Sequence, residues 1–295
     1  MERINADIRR LSDCALSDAV AAWNAGFKGY FVDMTLSVEG FVARLHNEGI
    51  SPELSLLAFI DDRAAGFLLN SIRVNAGVKT AWNGGTGVAP EYRGRGLGKL
   101  LVAAALAVYH EHDTYRATLE ALANNTAAIK LYQQFGYEVV ERLIFLEHAG
   151  VVGDELQCTS TAYHSESVMP YNVGQLGFYR SSVAWQCQWQ SLVRNNGEAL
   201  IVLENGMPVG YALYRRRFGE AGRLSGISLH QCEARPDHKD RSGIVTVALQ
   251  NAFAPLDVSC RRLTHNLRQT NTLVSQTLER AGFTTFVEQV QMEKN

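Results

Sequence analysis

Three glycines and three cations fall together in Arg93-Gly94-Arg95-Gly96-Leu97-Gly98-Lys99. Glycines leave the backbone N–H groups of a turn uncovered, and a helix starting there adds the positive end of its dipole. Arg93, Arg95 and Lys99 bring mobile positive charge, so the segment suits an anion of phosphate size. The same glycines would also serve a bare tight turn, and the spacing alone leaves both uses open. It does exclude two nucleotide loops. A Walker loop needs glycine where Arg93 stands and Ser or Thr where Leu100 stands, and the dinucleotide fingerprint needs a third glycine at Lys99.

Such a turn must be held between regular elements. A strand ends near Val88, and Leu97, Leu100, Leu101, Ala104 and Val108 recur at helical spacing, so the turn joins strand to helix. Upstream, Leu54–Asp61 and Ala64–Ile72 flank the polar turn Asp61-Asp62-Arg63 and read as an antiparallel hairpin. Downstream, a strand Ala117–Leu122 carries Glu120. Asn124-Asn125 precede a helix with Ala128, Leu131, Tyr132 and Phe135 on one face, stopped by Gly136. Strand Glu138–Leu146 closes the set. Ahead of it, helices Leu16–Ala25 and Val38–His46 are joined by a segment that includes Tyr30 and Asp33.

The set recurs. Pairing Pro90 with Pro236 also pairs Asn125 with Asn271, Gly136 with Gly282 and Tyr137 with Phe283 at one offset. Ala65-Gly66-Phe67 answers Val209-Gly210-Tyr211 at a nearly equal one. Ala199–Leu203, the turn Glu204-Asn205-Gly206 and Pro208–Tyr214 repeat the hairpin. Constant spacing over this length indicates duplication. With the polar stretch 150–167 as linker, two α/β (α+β) domains are predicted, residues 1–148 and 149–295. Each is expected to hold a mixed, mostly antiparallel sheet flanked by helices. The second copy keeps the apolar framework and loses the chemistry. Lys239 stands at the place of Arg93, Asp240 of Gly94, Ser242 of Gly96, Ile244 of Gly98, Asn266 of Glu120 and Leu278 of Tyr132. An aspartate and an isoleucine in the cradle oppose an anion and block close backbone approach. A structural or substrate-shaping role is expected for that copy.

Arg93, Gly96 and Gly98 resemble the Arg/Gln-x-x-Gly-x-Gly/Ala signature of the GCN5-related N-acetyltransferases (GNAT). Asn125-Thr126-Ala127-Ala128-Ile129-Lys130-Leu131-Tyr132-Gln133-Gln134-Phe135-Gly136-Tyr137 resembles that family's Asn-x-x-Ala-x-x-Leu-Tyr-x-x-x-Gly-Phe/Tyr segment. The two motifs in this order make the resemblance specific. It is strong over Leu54–Leu146 and dilute through the second copy. The resemblance implies an enzyme that moves an acetyl group from acetyl-coenzyme A (acetyl-CoA) to a primary amine by direct attack in a ternary complex. A small molecule or a peptide N-terminus would be the acceptor. Arg93, Gly94, Arg95, Gly96, Leu97, Gly98 and Lys99 would hold the pyrophosphate. Val88 and Ala89 would offer backbone groups to the pantetheine and thioester, and Asn125 would hydrogen-bond the arm.

By the same resemblance Tyr132 would stand at the sulfur as general acid; the alternative is helix packing, since it shares a face with Ala128 and Phe135. Glu120 matches a glutamate that some members, notably those acetylating protein N-termini, use as general base. A base relayed through water is the alternative, because Thr80–Val88 contains no Asp or Glu. Tyr30 and Asp33 would frame the acceptor, or be a core aromatic and a helix cap. For the chain as a whole the alternative is an acyl-CoA-binding sensor without turnover. Retention of Tyr132 favours the enzyme.

Composition removes other classes. The 295 residues carry 28 Lys+Arg against 30 Asp+Glu, a formal net charge of -2, and neither half is markedly basic. Nucleic acid and anionic membrane are therefore not expected partners. The longest apolar run, Leu100–Tyr109, is far short of the roughly 20 residues that span a bilayer. The start, Met1-Glu2-Arg3-Ile4-Asn5-Ala6-Asp7, lacks an apolar signal core. Cys14, Cys158, Cys187, Cys232 and Cys260 are odd in number and unclustered, so a cytoplasmic chain with reduced thiols is expected. His110-Glu111-His112 diverge on a helix and no metal is expected. A monomer or homodimer is expected. Arg215-Arg216-Arg217 with Arg223 reads as an anion receptor or as a solvated strand end.

Overall fold

The structure, a computed structural model, describes residues 5–29, 33–153, 156–157 and 161–295. The first copy runs β1 (Asp7–Arg10), α1 (Leu16–Gly26), α2 (Val38–Glu48), β2 (Leu56–Ile60), β3 (Arg63–Asn75), β4 (Val78–Val88), α3 (Leu97–Glu111), β5 (Arg116–Leu122), α4 (Thr126–Gln133) and β6 (Glu138–Gly150). The second runs β7 (His164–Val168), α5 (Pro170–Gly174), α6 (Trp189–Arg194), β8 (Glu198–Glu204), β9 (Met207–Phe218), β10 (Leu224–Ala234), α7 (Arg241–Ala252), β11 (Cys260–Thr264), β12 (Leu267–Arg268), α8 (Thr272–Arg280) and β13 (Thr284–Lys294). One expectation is corrected. Residues 164–167, read as linker, lie in β7, whose polar and largely exposed residues His164, Glu166 and Ser167 carry no core signal.

The chain forms two compact units that do not separate at a single position. One holds Met1–Ala121, Asn125–Val140 and Gln291–Asn295; the other holds Leu122–Asn124 and Glu141–Val290. Most of β6 therefore belongs to the second unit, and the end of β13 to the first.

In the first unit the strand order is β1-β2-β3-β4-β5. Neighbours are antiparallel except β4 and β5, which are parallel. Arg116 of β5 pairs with Glu293 at the end of β13 at 2.9 Å. At the β2–β3 turn Asp61 and Asp62 take φ of 48° and 57°, the left-handed pair that a two-residue hairpin with native twist requires. Helix α1 packs on β3 and β4 through Trp23, which is fully buried with ring centroids 4.5 Å from Phe27 and 5.1 Å from Phe67. Ser37 caps α2 by accepting the Gly40 N–H at 3.1 Å, and Gly49 ends that helix at φ 68°. On α3 the buried stripe is Leu97, Leu101, Val102, Ala105 and Val108. Leu100, expected in it, is exposed, because i, i+4 steps from Leu97 pass through Leu101 and Ala105.

The second unit repeats this plan in the order β7-β8-β9-β10-β11-β6-β13, with β12 also on β6. Again one pair, β10 and β11, is parallel, and the β8–β9 turn has Asn205 and Gly206 at positive φ. Ile244, Val245, Ala248 and Leu249 of α7 enter its core. Arg262 is fully buried and donates to the carbonyls of Phe253, Gly150, Val258 and Pro255. It ties the end of β6 to the segment after α7, whose carbonyls would otherwise be buried unpaired.

Candidate active site

Strands β4 and β5 are paired from Thr80 opposite Arg116 to Asn83 opposite Leu119, where their register ends. At that point β4 carries a bulge. Against β3, Asn83 faces Asn70 and Gly85 faces Leu69, so Gly84 is the extra residue. A bulge bends its strand and re-aims the residues beside it. Gly84–Val88 thus continue beyond the pairing with β5, as do Glu120–Leu122 on the other side. The second unit has the matching irregularity at His230, between Leu229 and Gln231 of β10.

Two polar clusters sit at this opening. Trp82 lies opposite Thr118, so by strand alternation it shares a face with Glu120. The Trp82 indole N–H donates to Glu120 Oε2 at 2.8 Å. The second cluster surrounds Tyr132 of α4, a buried residue whose ring centroid is 5.8 Å from that of Tyr137. Burial raises the Tyr132 phenol above the ordinary tyrosine range, and hydrogen bonds with Thr86 and Asn83 pull it back in part. The phenol is therefore protonated at neutral pH and able to donate. Asn83 and Thr86 bracket the bulge: Asn83 Nδ2 donates to Thr86 Oγ1 at 2.9 Å, and the Gly85 N–H to Asn83 Oδ1 at 3.0 Å.

The glycine turn follows β4. Gly94 and Gly96 have φ of 73° and 92°, and a Cβ on either would meet no atom within 4 Å. Their open faces leave the start of α3 accessible to an anion, with Arg95 and Lys99 exposed beside it. Leu97 is buried and anchors the helix. A Cβ on Gly98 would stand 3.2 Å from Leu131 of α4, so this glycine lets the two helices approach. The donor set fits a pyrophosphate, with one change from expectation. Arg93 gives its Nε–H to the Val88 carbonyl at 2.9 Å and its Nη2 to the Gly26 and Lys28 carbonyls at 3.0 and 3.1 Å. Its guanidinium straps the end of α1 to the end of β4. Ala89 is buried and donates its N–H to Ala65 at 2.9 Å, so a role toward a thioester would require that bond to be shared or released.

Asn125 caps α4 by accepting the Ala128 N–H at 3.2 Å. Asp33 is exposed and accepts the Thr35 N–H at 2.9 Å; the Thr35 hydrogen bonds lower its carboxyl below the usual range. Ser37 caps the following helix instead. Tyr30 lies outside the described residues. Among those described, no three His, Cys, Asp or Glu side chains gather as a metal site, and no helix is long and apolar enough to cross a membrane.

In the second unit Asp240 caps α7, its Oδ1 accepting the Gly243 N–H at 2.9 Å and its Oδ2 the Tyr163 O–H at 3.0 Å. The carboxylate takes the place an anion would occupy at the helix start, and Ile244 is fully buried. Trp82, Asn83 and Thr86 were not singled out by sequence reasoning. The run Asn83-Gly84-Gly85-Thr86, polar residues around two glycines inside a strand, was the available signal.

A model of the acetyltransferase (GNAT) family matches residues 20–137. A GCN5-related N-acetyltransferase from Sphaerobacter thermophilus is similar over 100% of this chain and 96% of its own, at 18% identity and a TM-score of 0.66. A tandem GNAT protein from the clavulanic acid biosynthesis pathway is similar over 98% of each chain, at 14% identity and a TM-score of 0.64. A GCN5-related N-acetyltransferase from Anabaena variabilis is similar over 98% of this chain and 72% of its own, at 17% identity and a TM-score of 0.64. At these identities the likeness is one of fold. No curated protein matches the sequence.

Proposed function

From a chain whose residues 20–137 belong to the acetyltransferase (GNAT) family, we propose an N-acetyltransferase that moves an acetyl group from acetyl-CoA to a primary amine. The acceptor is a small molecule or a peptide N-terminus. One observation carries the reading: the parting of β4 from β5 beyond Asn83 and Leu119, with the glycine turn at the end of β4 and the Tyr132 phenol at the bulge.

When bound, acetyl-CoA supplies a thioester carbonyl open to attack and a thiol as leaving group. The amides at the start of α3, with Arg95 and Lys99, hold its pyrophosphate; Arg93 keeps the turn in place. Backbone groups of Gly84–Val88 receive the pantetheine arm, and Asn125 orients the loop beside it. Glu120, held by Trp82, accepts a proton from the acceptor ammonium directly or through water. The amine nitrogen bonds to the carbonyl carbon in a ternary complex and the carbon–sulfur bond breaks. Tyr132 gives its proton to the departing sulfur, and the second proton, which the nitrogen sheds as it becomes the amide, restores the phenol. In this reading residues 1–148 carry the chemistry and residues 149–295 shape or support it.

The test is thiol release from acetyl-CoA with a panel of amines, amino acids, peptides and aminoglycosides. Release that depends on an acceptor, and falls in Tyr132→Phe, is expected. Tight coenzyme binding without release across the panel would favour a sensor.

A further inference from the structure

On the second unit, β9, β10 and β11 gather cations around a glycine. Gly226 of β10 is in register with Arg217 of β9 and with Arg261 of β11. In-register residues of neighbouring strands share a face, so both arginines flank a position that has no side chain of its own. Ser228, next along that face, is in register with Arg215, which adds a third guanidinium. A Cβ placed on Gly226 would lie 2.9 Å from the Arg261 carbonyl, and 3.8 and 3.9 Å from Nη2 and Nε of Arg217. The Arg217 head therefore lies over the glycine, which the close backbone approach itself requires.

The charges on this face are poorly balanced. Arg261 pairs with Glu147, its Nε and Nη2 at 2.9 and 2.6 Å from one carboxylate oxygen. Arg215 donates from Nη1 to the neutral Asn195 Oδ1 at 3.3 Å, and among the described residues no carboxylate pairs with it. Arg217 is exposed and, among the described residues, no carboxylate takes its guanidinium. By contrast Arg216 points to the other face, where it pairs with Glu198 and stacks on Tyr214. Burial first, and then the fields of Arg215 and Arg261, lower the Arg217 pKa. His230 adds no charge: burial, with His265 and these arginines nearby, keeps its ring neutral.

We propose that this face is an anion site, in which Arg215, Arg217 and Arg261 bind the phosphate or carboxylate group of a small molecule over Gly226. Planar guanidinium forks suit either oxyanion. The three arginines stand on the two strands either side of β10, neighbouring strands being about 4.8 Å apart, so they form one compact patch and do not extend along a run of nucleic-acid phosphates.

Isothermal titration of the full chain with sodium phosphate and with sodium citrate, at constant ionic strength set by chloride, tests this. An Arg95→Gln/Lys99→Gln background weakens the contribution of the glycine turn. Saturable binding of one of the anions, weakened about tenfold or more by Arg217→Gln, is expected. Arg217 is exposed, so this variant should fold, and in anion-free buffer it should melt no lower than its parent because crowding of like charges is relieved. A response to phosphate identifies a phosphate-bearing ligand, and a response to citrate alone a carboxylate-bearing one. Binding of neither anion, or binding that Arg217→Gln leaves unchanged, overturns the proposal.

Discussion

The Trp82 indole N–H reaches Glu120 Oε2 at 2.8 Å beside the last paired residues of β4 and β5. Trp82 is almost fully buried, so its ring cannot drift, and the hydrogen bond fixes the direction of the carboxylate at the opening. A structural acceptor and a positioned base share this geometry. They differ in what happens when the charge is removed but the shape is kept. Glu120→Gln retains an oxygen able to accept from Trp82, so its melting temperature should stay near that of the wild type. As a base, Glu120 should lose about 10²- to 10⁴-fold in the rate of acetyl transfer. A melt together with a thiol-release assay checks both; an unchanged rate assigns the proton to a relayed water.

Tyr132 offers the complementary measurement. Its phenol is raised above the usual range by burial, so the acid form persists through neutral pH and beyond. Tyr132→Phe should cost about 10²-fold or more in kcat while leaving the affinity for coenzyme A nearly unchanged, since the proposal gives the phosphates to the turn and not to the phenol. Equal losses in kcat and in binding would make the tyrosine a packing element only.

The cations of the glycine turn should separate by role. Arg93 spends its donors on the carbonyls of Val88, Gly26 and Lys28, and charged hydrogen bonds of this kind contribute roughly 1.5–3 kcal/mol in favourable settings. Partial exposure places Arg93→Ala near the low end, so a drop in melting temperature is expected. Arg95→Ala and Lys99→Ala should leave the melt unchanged and weaken coenzyme A binding about tenfold each. The opposite assignment, with Arg93→Ala neutral for stability, would remove the strap.

This difference among neighbouring arginines marks where the sequence stops being readable. The turn at Gly94 and Gly96 and the helix face that carries Tyr132 were legible because local spacing sets a turn and a helix face, whereas the cap that Asn125 makes on α4 was not read from it. The hairpin turns were legible for the same reason, and the duplication made each copy a check on the other. Arg93 was not, since its acceptors Gly26 and Lys28 lie 67 and 65 residues away and only the packing of α1 against β4 brings them near. The Trp82–Glu120 bond depends on the parallel register of β4 and β5, which no local pattern encodes. The division of β6 and β13 between the two units is likewise a matter of strand partners, invisible to periodicity. Polar β7 lacked the apolar alternation by which a strand is recognised.

Buried phenols give a prediction for stability against pH. Tyr109, Tyr132, Tyr137 and Tyr211 are all buried, and burial raises each above the ordinary tyrosine value of 10.0. Two are also tied by donor bonds, Tyr109 O–H to Asn70 Oδ1 at 2.5 Å and Tyr211 O–H to Gln231 Oε1 at 2.9 Å. A folded value above the unfolded one means that, past pH 10, the unfolded chain releases protons which the folded chain keeps. The stability from these groups is thus whole below pH 10 and falls as pH rises toward the folded values, by about 1.4 kcal/mol per pH unit for each such tyrosine. Urea midpoints between pH 8 and 11 should therefore be flat at first and then drop steeply, with phenolate absorbance from the four rings appearing only on unfolding. Tyr109→Phe should be less stable at pH 8, by about 1–3 kcal/mol for the unpaired Asn70 oxygen, yet show a shallower alkaline decline. A decline of equal slope in both proteins would mean that Tyr109 ionises in the folded chain, and that its contact with Asn70 does not hold the proton.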